Sequence, residues 1–303
     1  MNEEFRNYDV QPINILRTYP LGLIFLLDQS GSMSEPFGGD PNLSKAQGLA
    51  DAVNKVLQNL VAASRKAMGK PPYDYFFISI IGYGYEPTED SVGLVFGENL
   101  AEDGMVPISK IAENPLRVEK RKKQKYVGAG ENITEEISFP VWFDPVSVGG
   151  TPMCKALRMA KYTAEKWVNS HPNCLPPIVF NFTDGESTDG DPEPVAEEIK
   201  QLSNQFGNVL LFNLHLSKVN VTPISFPNKE DTLPDEFAKK LFRMSSVMPK
   251  YMIRRANDGV EKLNLPVSDN ARGFVLNEGT AFISLISLLS IGGALPPIRS
   301  NIL

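Results

Sequence analysis

Two carboxylates and three hydroxyls, widely spaced along the chain, are the side chains best suited to chemistry. Asp28, Ser30 and Ser32 stand in Asp28-Gln29-Ser30-Gly31-Ser32, directly after an apolar run over residues 21–27. Thr151 lies in a GGTPM stretch at 149–153, and Asp184 follows a second apolar run over 178–182. All five offer hard oxygen, which selects Mg2+, Mn2+ or Ca2+ over zinc or copper. In an extended or tightly turning loop alternate residues point the same way, so Ser30 and Ser32 can face one ion, and Gly31 lets the turn tighten. Mg2+ demands near-octahedral geometry at about 2.0–2.1 Å and keeps waters. A centre with few direct protein ligands therefore leaves a position open for a partner's carboxylate.

These residues must be brought together by the elements around them. The run at 21–27 is short and continuously apolar, as a strand buried on both faces is, and 75–83, 178–182 and 209–216 read as further strands. Between them lie amphipathic stretches. Residues 42–68 place Ala46, Leu49, Val53, Val56, Leu57, Leu60 and Val61 on one helical face, with Gly69, Pro71 and Pro72 to stop the helix. Thr151-Pro152 reads as an N-cap followed by proline at the first helical position of a helix running to Ser170. Asp191-Pro192 opens another, with Val195, Ala196, Ile199, Leu202 and Phe206 inward and Gly207 as its C-cap. Further helices are expected at 108–113, 235–246 and 280–289, a short last strand at 274–276, and a hairpin-paired edge strand at 91–96. The predicted fold class is α/β: a doubly wound, mainly parallel sheet with one antiparallel edge strand and helices on both faces. Residues 1–20 form a polar lead-in, 21–290 one domain with an insertion at 97–148, and 291–303 a tail. In such a sheet ligands bind where the winding reverses, at the carboxyl ends of two adjacent strands. If the strands at 21–27 and 178–182 flank that point, Asp28 and Asp184 share its lip.

Composition narrows the function. A length of 303 residues suits one large α/β domain or two small ones, and the formal charge of −6 argues against nucleic acid as the main partner. The cysteines, Cys154 and Cys174, make no disulfide framework and are too few for a zinc site. No signal peptide is expected, and no run reaches the roughly 18 apolar residues of a membrane span. A reducing cytoplasm is the expected compartment.

Asp-x-Ser-x-Ser after a buried strand, a distant Thr opening a helix, and Thr183-Asp184-Gly185 after another buried strand resemble the von Willebrand factor A domain family. The resemblance covers about residues 21–289, and it is greatest to the stand-alone intracellular A-domain proteins of bacteria. It implies a metal-ion-dependent adhesion site with Ser30, Ser32 and Thr151 as direct or switchable ligands. Asp28 and Asp184 would hold the metal through water, and Gly185 would let its loop pass close. The cofactor implied is Mg2+, with Mn2+ or Ca2+ as alternatives. The partner implied is a protein supplying a carboxylate, within a bacterial stress, defence or signalling system. The protein is expected not to be an enzyme.

Other readings stand beside these. Thr151 serves as a helix cap, as a ligand, or as each in turn. Thr183 and Ser187 are expected to hydrogen-bond within their loop. The basic run at 117–125 is read as a solvated loop rather than a nucleic-acid site, since only Tyr126 adjoins it for stacking. Pro140 places the strand-like stretch at 137–143 on an edge or outside the sheet. A phosphatase of the Asp-x-Asp-x-Thr type would need a second carboxylate where Ser30 stands. His171 and His215 lie outside the crevice segments, so no general base is evident.

Overall fold

The computed structural model describes residues 18–37, 40–65, 70–88, 91–96, 104–126, 132–217, 222–258 and 267–277. Most of the expected lead-in, the expected helix at 280–289 and the tail lie outside the described residues.

The chain begins with β1 (Leu21–Asp28), a 3-10 turn at Gly31–Ser34, and a small ribbon of β2 (Pro36–Phe37) and β3 (Asp40–Ser44). It continues through α1 (Lys45–Ala63), β4 (Phe76–Tyr83), β5 (Val92–Leu94), β6 (Val106–Pro107) and α2 (Ile108–Glu113). A long ribbon of β7 (Arg117–Tyr126) and β8 (Asn132–Val141) comes next, then α3 (Met153–Ser170), β9 (Ile178–Thr183) and α4 (Glu193–Gln201). The last described elements are β10 (Ser203–Asn204), β11 (Gly207–Asn208), β12 (Leu210–His215), β13 (Ile224–Ser225), α5 (Glu236–Met244), α6 (Lys250–Asp258) and β14 (Phe274–Leu276).

The main sheet runs in the order β13-β14-β12-β9-β1-β4-β5, with β6 also paired to β4. The neighbours from β14 to β4 are parallel. Antiparallel segments lie at both ends, β13 against β14 and β5 and β6 against β4. The single antiparallel edge expected from sequence is thus corrected to one at each end. β13 is only two residues long and carries no periodicity to read.

β1 is central and buried throughout. Leu21, Leu23, Phe25 and Leu27 enter one core cluster with α1 and α6, while Ile24 and Leu26 enter a second with α3, α4 and α5. Each such fully buried side chain contributes roughly 1.5–3 kcal/mol. Helices therefore lie on both faces, and the carboxyl ends of β1 and β9 emerge side by side at one rim.

Four local expectations need correction. Helix α1 starts at Lys45, because residues 40–44 pair with β2 and Ser44 Oγ accepts from the Gln47 amide at 3.1 Å. This is the Ser-x-x-Gln pattern of a capping box. Helix α4 stops at Gln201; Phe206 lies in the β10–β11 turn and Gly207 opens β11 with φ 130°. Helix α6, at 250–258, has no counterpart among the expected elements. The basic run at 117–125 is a strand of the β7–β8 ribbon. Arg121 lies 3.8 Å over the Phe139 ring and pairs with Asp51 of α1 at 2.9 Å, and Lys120 pairs with Glu136 at 2.7 Å. Alternation is what makes this possible: one face of the ribbon buries Phe139 and Val141 while the charges pair across it. As Pro140 implied, this ribbon stands outside the main sheet.

Candidate metal centre

The Asp-x-Ser-x-Ser loop leaves β1 and folds against three other loops. The Gly31 amide donates to Gly149 O at 2.9 Å, the Val148 amide to Gln29 O at 2.8 Å, and the Gly149 amide to Gly84 O at 2.7 Å. Ser30 and Gly149 thus pair as an isolated parallel bridge. The approach is close enough to require glycine. Gly84 has φ 79°, and a Cβ there would lie 2.1 Å from Gly150 O. One on Gly149 would lie 2.0 Å from Glu86 O.

Asp28 is buried at the end of β1. Its Oδ1 accepts from the Ser30 amide at 2.9 Å and its Oδ2 from the Thr183 hydroxyl at 2.7 Å. Ser30 Oγ and Ser32 Oγ are 3.1 Å apart, and Ser32 donates to Asp184 Oδ1 at 2.6 Å across 152 positions of sequence. Thr151 comes in from the far side. Its amide donates to Thr188 Oγ1 at 3.1 Å and its carbonyl accepts from the Thr188 amide at 2.9 Å. A Cβ built on Gly185 would lie 3.5 Å from Thr151 Oγ1 and 3.8 Å from Ser32 Oγ, so both hydroxyls converge over that glycine. The structure therefore gathers Asp28, Ser30, Ser32, Thr151 and Asp184 at one rim of the sheet.

Thr151 is not the side-chain cap of α3, whose own N-cap position makes no side-chain hydrogen bond. Asp189 does that work, accepting from the Cys154 amide at 2.9 Å and the Lys155 amide at 2.8 Å. The Asp184–Asp189 loop is thereby tied to the start of α3, and the Thr151 hydroxyl is not committed to capping. These hydrogen bonds, with one from Ser187, hold the Asp189 carboxylate below its ordinary range against the opposing effect of burial.

Electrostatically the centre is under strain. Burial pushes the Asp28 carboxyl up to about 6, against the hydrogen bonds from Ser30 and Thr183; the nearby Asp184 adds to the rise. The Tyr83 phenol, buried beneath, is raised far above its usual value by burial and by Asp28. Lys45, the first residue of α1, lies under the loop with 1% of its surface exposed and donates to Asp184 Oδ2 at 2.8 Å and Glu35 Oε2 at 2.9 Å.

The donor chemistry suits a hard cation. Ser32 spends its proton on Asp184 and accepts from Ser30, which leaves one lone pair on its oxygen for another centre. Among the described residues no group of three or more His, Cys, Asp or Glu side chains forms a metal cluster. The candidate centre thus rests on hydroxyls with two carboxylates behind them. Lys45, Tyr83 and Gly84 do not stand out in the sequence; each reaches the centre without a motif of its own. Thr183 does stand out; it hydrogen-bonds within its loop to Gly185 as expected, and it also donates across to Asp28, which was not expected.

The remaining chemical side chains are occupied elsewhere. His215 is buried at the end of β12, edge-on to Phe237 at 5.0 Å, and burial lowers its pKa. Its Nδ1 sits 3.3 Å from Thr183 O, nearer the rim than expected, but facing backbone. His171 stacks on Trp167 at 3.9 Å. Cys154 is a buried thiol whose pKa burial raises, so the helix terminus does not activate it.

No protein-family model matches this sequence, and no curated protein matches it. Among solved structures the chain is similar to the pilus adhesin SpaC from Lactobacillus rhamnosus GG, at 12% identity and a TM-score of 0.51, over 93% of this chain and 31% of that one. It also aligns with the vWF domain of the type V pili tip protein Mfa5 from Porphyromonas gingivalis, at 12% identity and a TM-score of 0.31, over 80% of this chain and 51% of that one. The chain spans less than a third of the first and about half of the second. The likeness to SpaC is one of fold. The shared fold is a mostly parallel mixed sheet with helices. No described helix is long and apolar enough to cross a membrane.

Proposed function

We propose that this chain is a doubly wound von Willebrand factor A-like module. In this reading it captures a partner's acidic side chain through a divalent cation held by Ser30, Ser32 and Thr151. Asp28 and Asp184 stand behind these hydroxyls and balance the ion's charge. When bound, the cation supplies a Lewis-acidic position that a carboxylate can complete. The observation that carries this reading is the Ser30–Ser32–Asp184 chain of contacts at 3.1 Å and 2.6 Å, which joins the two most distant motifs through hydroxyls. Mg2+ is the proposed ion. The proposed setting is a bacterial cytoplasmic assembly.

A binding role fits this centre better than turnover. Position 30, where a phosphatase of the Asp-x-Asp-x-Thr type would place its second carboxylate, is a serine, and His215 is turned to backbone.

The test is thermal unfolding in EDTA against a Mg2+ series. A cation that binds only the folded chain adds about 2.7 kcal/mol at a hundred times its dissociation constant. The wild type gains that stability, while Thr151→Ala loses most of the gain and keeps its metal-free Tm. A wild type indifferent to Mg2+, Mn2+ and Ca2+ would remove the basis of the proposal. Retention of an acidic partner that survives EDTA would remove the cation from its capture.

A further inference from the structure

Every carboxylate oxygen in the centre already has a partner. Asp28 Oδ1 and Oδ2 accept from the Ser30 amide and the Thr183 hydroxyl. Asp184 Oδ1 accepts from Ser32, and Asp184 Oδ2 from the ammonium of Lys45. The last contact differs from the others. Both side chains are shut away from water, at 2% and 0% exposure, and the donor carries a full charge. Burying an ammonium is costly, and an apolar side chain would fill the same space under the loop more cheaply. Packing alone therefore does not account for a lysine here.

The consequence is geometric and electrostatic at once. For a carboxylate to grip one ion with both oxygens, both must turn toward it. Lys45 holds Oδ2 of Asp184 on the side facing α1, and its charge repels a cation from that edge. Only the Oδ1 side, shared with Ser32, faces the hydroxyl cluster. Ca2+ takes six to eight oxygens and readily grips a carboxylate by both; Mg2+ takes six at fixed geometry and binds carboxylates through one oxygen or through water.

We infer that Lys45 is the residue that sets the cation preference of this centre, restricting Asp184 to one oxygen and so favouring Mg2+ and Mn2+ over Ca2+. This rests on the metal reading above and names a positioning residue for it. Glu35, at 40% side-chain exposure, anchors the ammonium from the solvent side and is not needed for the discrimination.

The experiment is calorimetric titration of the full chain with MgCl2, MnCl2 and CaCl2 in turn, for wild type, Lys45→Met and Lys45→Arg. The wild type binds Mg2+ and Mn2+ more tightly than Ca2+. Lys45→Met moves the ratio of Ca2+ to Mg2+ affinity toward Ca2+ by about tenfold, the scale on which groups behind a metal's ligands act. Lys45→Arg, which keeps charge and donors, keeps the wild-type ratio. Should Lys45→Met fail to fold by circular dichroism, Lys45→Gln takes its place, with a shift in the same direction. A ratio unchanged within about twofold in a neutral variant that still binds cations overturns the role of Lys45 alone. A wild type that binds none of the three ions overturns the metal reading and this inference with it.

Discussion

Asp184→Ala destabilises the metal-free protein by about 3–5 kcal/mol, the cost of stripping one partner from a buried ion pair. The size follows from what is left behind. Lys45 keeps its ammonium beneath the loop with only the half-exposed Glu35 to face, and Ser32 loses its acceptor. Urea unfolding in EDTA reads the loss directly. Adding Lys45→Met to Asp184→Ala recovers part of it, because the second change removes the orphaned charge, so the two effects are far from additive. A loss under about 1 kcal/mol, the range of exposed pairs, would mean that water reaches this pair and that the buried geometry does not hold in solution.

Asp28→Asn acts in the opposite direction. The folded chain holds the Asp28 carboxyl at about 6, above its ordinary 3.8, chiefly through burial. The folded state therefore binds this proton more tightly than the unfolded state. The fold suffers no penalty from Asp28 below the ordinary value; the penalty grows as pH rises from there through about 6 and levels off above it. The shift corresponds to about 3 kcal/mol at neutral pH, at about 1.36 kcal/mol per unit. A side-chain amide cannot ionise, so Asp28→Asn is expected to be the more stable protein at about pH 7.5 in EDTA, by about 2–3 kcal/mol. The difference closes by about pH 4. Paired unfolding curves across this range check it. Saturating Mg2+ at the same neutral pH stabilises the wild type and leaves the variant behind. In the proposed reading the buried carboxylate weakens the metal-free fold, and a bound cation offsets that cost. A variant no more stable than wild type at neutral pH would show that Asp28 ionises without penalty.

Much of this architecture is legible in the sequence. β1, β4 and β9 are buried on both faces and so are written as largely apolar runs, broken only by Ser79 in β4 and Asn181 in β9 before their last residues. The hydroxyl and carboxylate residues stand out because each sits at the end of such a run or at the start of a helix, where a side chain must face the rim. What is not legible depends on distant partners. Lys45 looks like an ordinary first-turn lysine until Asp184, far along the chain, is placed above it. Gly84 is one glycine among many until Gly150 O closes on it. The basic strand β7 reads as a solvated loop because its charges hide a period of two that only Phe139, Asp51 and Glu136 reveal. Thr151 reads as a cap because Asp189, which caps α3 from another loop, is invisible to local patterning.

The most direct test is diffraction from crystals grown with Mn2+, recorded at the manganese edge. The account predicts one anomalous peak bounded by Ser30 Oγ, Ser32 Oγ and Thr151 Oγ1, about 2.1–2.2 Å from its direct ligands, with Asp28 and Asp184 behind and Lys45 still on Asp184 Oδ2. No peak at that rim, or a peak elsewhere with these hydroxyls unmoved, would contradict it.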